Sequence, residues 1–381
     1  MKKLNLILLL LLIPFVFSSC DATADKEIKN RLIIEGVGID YDSESKEYIL
    51  TVQVLEASKS GEEGGQSAPV VNYTVTGKTV ASALNSLWEN TGRYPLYSQN
   101  RIIVIGSSLN GDNITRALDF FVREYTARAD VTVAAATGSA ADVMMIQNGG
   151  EIPAKLIENS IREGNENSAA VDTELYNVVN LSMEKTTSFT LPLLEIVKDR
   201  NADGEAVKVT GTYCYMKNGK KNHLSDMETM MYKFITDDVE LGTMSMSADG
   251  VAIGLDIISS STDVKTELRD NKPHFSIEIK CAVDILEYGN VDFLNIDDET
   301  VNRICLQTQD YIESCTTQLL HRQLKEEKCD IFRFFRHLLL KYPEVYNQLA
   351  TDYENALSEF SYDVQAKVTV RKIGQESMVN R

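Results

Sequence analysis

Between positions 275 and 285 every second residue is apolar. Phe275, Ile277, Ile279, Cys281, Val283 and Ile285 are apolar, and Ser276, Glu278 and Lys280 between them are polar. A period of two sends successive side chains to opposite faces of a strand. One face is then buried and the other wet, the habit of antiparallel and mixed sheets rather than of a parallel sheet covered on both sides. The next segment supplies the cover. Val301, Cys305, Thr308, Ile312, Cys315 and Leu319 fall three or four apart, an apolar stripe for a long helix lying on that sheet. Asp298 and Glu299 stand where a helix start favours acids. Residues 331–340 and 345–359 read as further helices, with Pro343 as a stop or restart. A last strand comes next, in which Val364, Ala366, Val368 and Val370 point inward and Gln365, Lys367, Thr369 and Arg371 outward. Strand, helices and strand make an α+β unit.

The preceding residues read the same way. Strands are expected at 31–40, ending in Gly36-Val37-Gly38-Ile39-Asp40, at 48–54, 70–75, 101–105 and 131–136, with helices at 79–89 and 114–128 and from 140. Residues 151–182 look mostly helical. A lone G-x-G with no third glycine opening a helix is weak grounds for phosphate binding. Residues 58–68, rich in Gly, Ser and Glu, read as a flexible loop. Beyond a polar breaker at 198–205 come a strand at 207–216, a hairpin turn at Asn218-Gly219, a helix at 226–236 and strands around 251–258. A second breaker covers 269–273.

The amino terminus carries a different message. Lys2 and Lys3 precede an apolar run at 4–17, broken only by Asn5 and Pro14. The run is too short and too weakly flanked to span a bilayer, and reads as a secretory signal. Ser18 and Ser19 directly before Cys20 resemble the lipobox of bacterial lipoproteins, with Phe17 where that motif usually has Leu or Val. The resemblance implies that residues 1–19 are removed and that Cys20 becomes the first residue. Its thiol would carry a diacylglyceryl thioether with palmitate-type chains, and 20–30 would form a lipidated tether. The rest of the chain is expected to fold outside the cytoplasm.

The 381 residues suffice for two or three domains, and 43% hydrophobic with 25% charged residues is ordinary for a globular protein. The formal charge of -18 repels phosphate backbones, so no nucleic-acid partner is expected. Cys214, Cys281, Cys305, Cys315 and Cys329 are odd in number and show no C-x-x-C spacing, so neither a disulfide framework nor a zinc site is implied. Cys281, Cys305 and Cys315 suit core packing as small hydrophobes. His223, His274, His321 and His337 are scattered. The acid runs at Asp237-Asp238-Glu240 and Asp297-Asp298-Glu299 read as solvated caps rather than a glycosidase pair. Asn201-Ala202-Asp203-Gly204 lacks the closing Glu of a calcium loop and reads as a turn. No G-x-S-x-G is present. No catalytic residue, metal ligand or cofactor is expected.

Taken in order, these motifs resemble the C-subunit lipoproteins of bacterial spore germinant receptors, the Ger(x)C family. The likeness is carried by the lipobox and by Lys26-Glu27-Ile28 leading into the glycines at 36 and 38. It continues through the Gly77-Lys78-Thr79 helix start with Ala83 and Leu87, and NRIIVIG at 100–106. Last comes the run from Asp330-Ile331-Phe332 through Pro343 to VTVRKIG at 368–374. Asp21 stands where that family often has Trp, and Arg333 and Phe334 where it has glycines. The resemblance implies an α+β fold of three consecutive mixed sheet-plus-helix domains, placed by the breakers at 31–198, 206–270 and 273–375. It also implies a non-enzymatic subunit anchored on the outer face of the inner spore membrane, beside integral membrane subunits that respond to small germinants. Whether this subunit contacts germinant itself stays open. A solute-binding lipoprotein of a membrane transporter is the alternative; it would need two lobes of strand–helix–parallel-strand units around a cleft.

Overall fold

A computed structural model describes residues 31–55, 70–110, 112–146, 151–199, 204–216, 218–248, 250–289, 296–373 and 376–377. Cys20, Lys26-Glu27-Ile28 and the loop expected at 58–68 lie outside the described residues. The described chain forms two sheets with helices packed on them, an α+β fold.

The first sheet contains β1 (Arg31–Asp42), β2 (Glu47–Leu55), β3 (Val70–Gly77), the short β4 (Tyr94–Leu96), β5 (Ile102–Ile105), β6 (Thr132–Ala136), β7 (Phe189–Lys198), β8 (Glu205–Tyr215) and β9 (Lys221–Leu224). Its order is β3-β2-β1-β5-β6-β7-β8-β9, with β4 also beside β1. The centre, β1-β5-β6-β7, is parallel and both flanks are antiparallel. Parallel strands need crossover helices, which cover both faces. This is why Ile102–Ile105 and Thr132–Ala136 are buried at every residue. One face packs against α1 (Val80–Thr91), α2 (Asp112–Arg123) and α5 (Leu175–Met183). The other packs against α3 (Ala140–Met145) and α4 (Pro153–Glu166).

The glycines of GVGID serve that second face. A Cβ on Gly36 would stand 2.7 Å from Met144 Cε and 2.8 Å from Ala154 Cβ, and one on Gly38 would stand 2.9 Å from Met144 Cγ. Only a bare backbone lets α3 come this close. Asp40 then holds the helix by its start, since its carboxylate accepts from the Ala140 and Ala141 amides and the Ser139 hydroxyl, each at 3.0 Å. Helix approach and helix capping account for the motif.

The second sheet, β10 (Gly242–Ala248), β11 (Val251–Arg269), β12 (Lys272–Tyr288), β13 (Ser361–Ile373) and β14 (Glu376–Ser377), runs in that order, and only β12–β13 is parallel. β12 is the strand whose every second residue from 275 to 285 is apolar. Phe275, Ile277, Ile279, Cys281, Val283 and Ile285 are all buried, beneath α6 (Asp226–Ile235) and the long α7 (Asp298–His321). The cap of α7 lies one residue earlier than expected: Asp297 accepts from the Thr300 amide at 2.8 Å, and Asp298 and Glu299 occupy the first turn. α7 also covers an open edge. Glu313 Oε1 accepts from Ala366 N at 2.8 Å and Gln309 Oε1 from Val368 N at 3.1 Å, so two side chains stand in for a neighbouring strand of β13. After α7, the chain forms α8 (Phe334–Lys341), α9 (Pro343–Leu349) and α10 (Tyr353–Leu357), splitting at Pro343. Phe334, Phe335 and Phe360 are fully buried, and Phe334 stacks on Phe275 at 4.1 Å between ring centroids.

Neither breaker marks a change of sheet. The breaker expected at 198–205 lies within the first sheet, since Lys198 at the end of β7 pairs with Glu205 at the start of β8 and Asp199 N donates to Gly204 O at 3.0 Å. Asp270 (φ 50°) and Asn271 (φ 61°) make a two-residue turn between β11 and β12, whose positive φ values match the twist of a hairpin. The chain leaves the first sheet after β9 and enters the second at β10, with α6 between. The expected hairpin at Asn218-Gly219 is present, with Gly219 at φ 81°. All five described cysteines are free thiols: Cys214, Cys281 and Cys329 are buried, Cys305 and Cys315 half-buried against the core.

Candidate functional site

The two sheets meet around the buried Asp330-Ile331-Phe332 segment. Asp330 is fully buried. Its Oδ1 accepts from Phe334 N at 3.0 Å and its Oδ2 from Phe335 N at 2.9 Å, which caps α8. Its backbone carbonyl accepts from Ser188 N at 3.1 Å, tying the cap to the approach of β7. Burial outweighs those amides and pushes the carboxyl up to about 6. Cross-links reinforce the junction. Ser168 Oγ donates to Leu241 O at 2.6 Å, Arg336 reaches Glu184 at 3.3 Å, and Asn222 Nδ2 donates to Gln323 Oε1 at 3.1 Å.

Beside this junction opens a cavity of about 490 Å³. The first sheet's side contributes Asn165 and Glu166 from the end of α4, Asp172 and Thr173 from the link to α5, Asn177 and Thr190. The other side contributes Tyr232 and Lys233 from α6, Asp237, Asp238 and Glu240 from the turn after it, and Arg333. Lys233 is only 3% exposed. Its Nζ donates to Asn165 O at 2.6 Å and Asn165 Oδ1 at 2.8 Å, and burial lowers its pKa. Desolvation at the wall raises the Asp172 carboxyl, which accepts from Thr132 Oγ1 at 3.1 Å. Burial drives the Tyr232 hydroxyl up to about 12. Asp237 (φ 61°) and Arg333 (φ 62°) both hold the left-handed backbone that favours glycine. Asp237 Oδ1 accepts from Thr262 N at 2.7 Å, fastening the turn to β11. A second recess of about 340 Å³, lined by Phe332, Arg336 and His337, shares Asp237, Asp238 and Arg333 with the first.

Asp237, Asp238 and Glu240 read from the sequence as solvated caps, yet they form one wall of this cavity. Lys233, Asp172 and Tyr232 carry no signal there, because a single lysine or tyrosine on a helix looks like any other. Arg333 does carry one, as a departure from the glycine of the resembled family, and it occupies a left-handed position. The histidines stay apart. His274 bridges β12 and β13, with Nδ1 2.8 Å from Ser361 Oγ. Among the described residues, no group of three or more His, Cys, Asp or Glu is placed to hold a metal ion. Cys20 lies outside the described residues. Among those residues no helix is long and apolar enough to cross a membrane.

Comparison with known families decides the assignment. Residues 24–196 match the model described as Spore germination protein N-terminal domain, and residues 212–374 the one described as Spore germination B3/GerAC like, C-terminal. The chain belongs to this spore germination family. Spore germination protein B3 of Bacillus subtilis (strain 168) is 24% identical over 359 residues, covering 92% of this chain and 93% of that protein. Spore germination protein KC of the same organism is 20% identical over 399 residues, covering 98% and 96%. The crystal structure of the GerBC protein shares the fold, with a TM-score of 0.59 at 19% identity over 88% of this chain and 96% of that one. Family and fold thus span both sheets and the junction between them.

Proposed function

We propose that this protein is a lipid-anchored, non-catalytic subunit of a spore germinant receptor, needed for assembly of the complex and for its response to small-molecule germinants. The observation that carries the reading is the family match along nearly the whole chain, on both sides of the sheet junction. The lipobox-like Ser18-Ser19-Cys20 supports a diacylglyceryl anchor at Cys20 and a place on the outer face of the inner spore membrane. Each buried methylene contributes roughly 0.8 kcal/mol, and stable anchoring takes two acyl chains, which such a group supplies. Confinement in the plane of the membrane raises the effective concentration of integral membrane partners, so weak contacts suffice to hold the complex. The family assignment speaks against the transporter alternative, and so does the second sheet, whose strands are mostly joined as hairpins rather than as strand–helix–strand repeats.

The test is Cys20→Ala in spores. The protein is expected to leave the membrane fraction, receptor levels to fall and germination to slow. Full membrane retention with normal germination would refute the anchor. Crosslinking in spore membranes, with subsequent purification of this chain, is expected to bring integral membrane proteins with it.

A further inference from the structure

The amino-terminal edge of the first sheet's parallel centre carries an apolar surface that packing leaves uncovered. β1, β5, β6 and β7 all start at this edge, and α1, α2 and α5 bring the chain back to it. Trp88 sits in the last turn of α1 and stacks on Tyr94 of β4, with 5.7 Å between ring centroids and 6° between planes. Val122 lies at the end of α2 and Tyr125 in the turn after it. Tyr176, whose amide donates to Ala129 O at 3.1 Å, and Met183 belong to α5. Tyr125 is 91% exposed and Met183 71%. These are six of the twelve large hydrophobic side chains left exposed among the described residues, so the exposure is gathered at one edge rather than scattered. Carboxylates around them are engaged within the fold: Asp119 with Arg123 at 2.6 Å, Asp130 with Arg128 at 2.6 Å, and Glu124, which accepts from Thr126 Oγ1 at 2.9 Å.

The tether points to what covers this surface. Arg31, the first residue of β1, pairs with Tyr94. Cys20 stands eleven residues before it. At no more than about 3.6 Å per residue, that stretch reaches at most about 40 Å. A lipid on Cys20 therefore holds the edge close to the bilayer, where effective concentration favours even a weak apolar contact. Tryptophan and tyrosine suit that contact, since each has a large apolar body and a polar tip for the headgroup layer.

We propose that this edge is a membrane-contact surface, with Trp88, Tyr94 and Tyr125 in the headgroup layer beside the tether and Val122, Tyr176 and Met183 completing the apolar face. The inference rests on the anchor at Cys20 and adds an orientation, in which the parallel strands of the first sheet run away from the membrane. Trp88 is the one tryptophan of the chain, so its fluorescence reports on this edge alone. The lipidated chain is reconstituted, with no other protein, into vesicles of phosphatidylglycerol and phosphatidylethanolamine, with or without dibrominated acyl chains. In parallel, the chain from residue 21 carrying an amino-terminal decahistidine is held on the same vesicles by a nickel-chelating lipid, which tethers it whether or not Cys20 is acylated. In both samples, brominated vesicles are expected to reduce Trp88 emission at least about twofold relative to unbrominated ones, as for a ring at the membrane interface. Tyr125→Glu combined with Met183→Glu, at two highly exposed positions, is expected to remove most of that quenching while Tm stays unchanged. Leu306→Glu, on α7 and 60% exposed, is expected to leave the quenching as in wild type. Equal emission of the decahistidine-tethered chain on both kinds of vesicle overturns the proposal and leaves the edge open to a protein partner. Undiminished quenching in the double variant overturns it as well. Mass spectrometry showing Cys20 unmodified, together with quenching of the decahistidine-tethered chain, strikes the anchor and keeps the surface.

Discussion

Removing the Asp330 carboxyl is expected to cost more stability in acid than at neutral pH, the reverse of an ordinary helix cap. Asp330→Ala leaves the Phe334 and Phe335 amides without their acceptors inside a fully buried site. Each unsatisfied buried group costs about 1–3 kcal/mol. Against this stands the burial of charge, because the folded protein raises the carboxyl from its usual 3.8 to about 6. A carboxyl raised on folding binds more protons in the folded than in the unfolded state between those values. Its contribution is fully present below pH 3.8 and is lost as pH rises through 6. A rise of this size corresponds to roughly 3 kcal/mol in full, of which about 1–2 kcal/mol develops between pH 7 and pH 5. Urea unfolding of wild type and Asp330→Ala at pH 5 and pH 7, monitored by circular dichroism, measures the difference. The cost of the substitution should be about 1–2 kcal/mol larger at pH 5. A cost that is largest at pH 7 and shrinks on acidification would show that the backbone amides outweigh burial, and would refute the reasoning.

Three further outcomes are expected. Gly38→Val should lower Tm by several degrees or prevent folding, because its Cβ would lie 2.9 Å from Met144 Cγ and 3.0 Å from Ala140 O, and overpacking of this kind costs about 1–3 kcal/mol or more. Glu313→Ala removes the acceptor of the Ala366 amide at the β13 edge; hydrogen exchange there should speed up, with a global loss of about 1 kcal/mol. A thiol-specific disulfide reagent should modify at most Cys305 and Cys315 in the native state, since burial pushes Cys281 and Cys329 up to about 12 and also raises Cys214. Rapid modification of three or more of these five thiols in folded protein would contradict the packing described.

Local periodicity makes much of the fold legible. The alternation of β12 and β13 and the helical stripe of α7 emerge because each buries one face against one partner, so burial is written into the spacing. The short central strands are legible for the opposite reason, being apolar throughout where both faces are covered. Features that depend on distant partners escape. The second half of β11, through Ser259, Ser260, Ser261 and Thr262, is polar and lacks an apolar rhythm, and its hydrogen bonds to β12 make it a strand. The breaker at 198–205 looks like a boundary because polar, turn-prone composition is alike whether the strands on either side belong to two sheets or are neighbours in one. The cavity is hidden more thoroughly. Its walls come from residues between 165 and 190, from 232–240 and from Arg333, each unremarkable in its own surroundings.

The side chains that α7 lays along β13 bear on how many copies of this chain can coexist. A strand with free amides invites the same strand of another molecule, and the invitation grows as neighbours are crowded together. Glu313 and Gln309 fill those places from within the fold, so growth of a shared sheet from chain to chain is blocked before it begins along that stretch. Along that stretch, contacts between copies would have to be made by side chains, which can be matched and limited, rather than by backbone, which recognises everything.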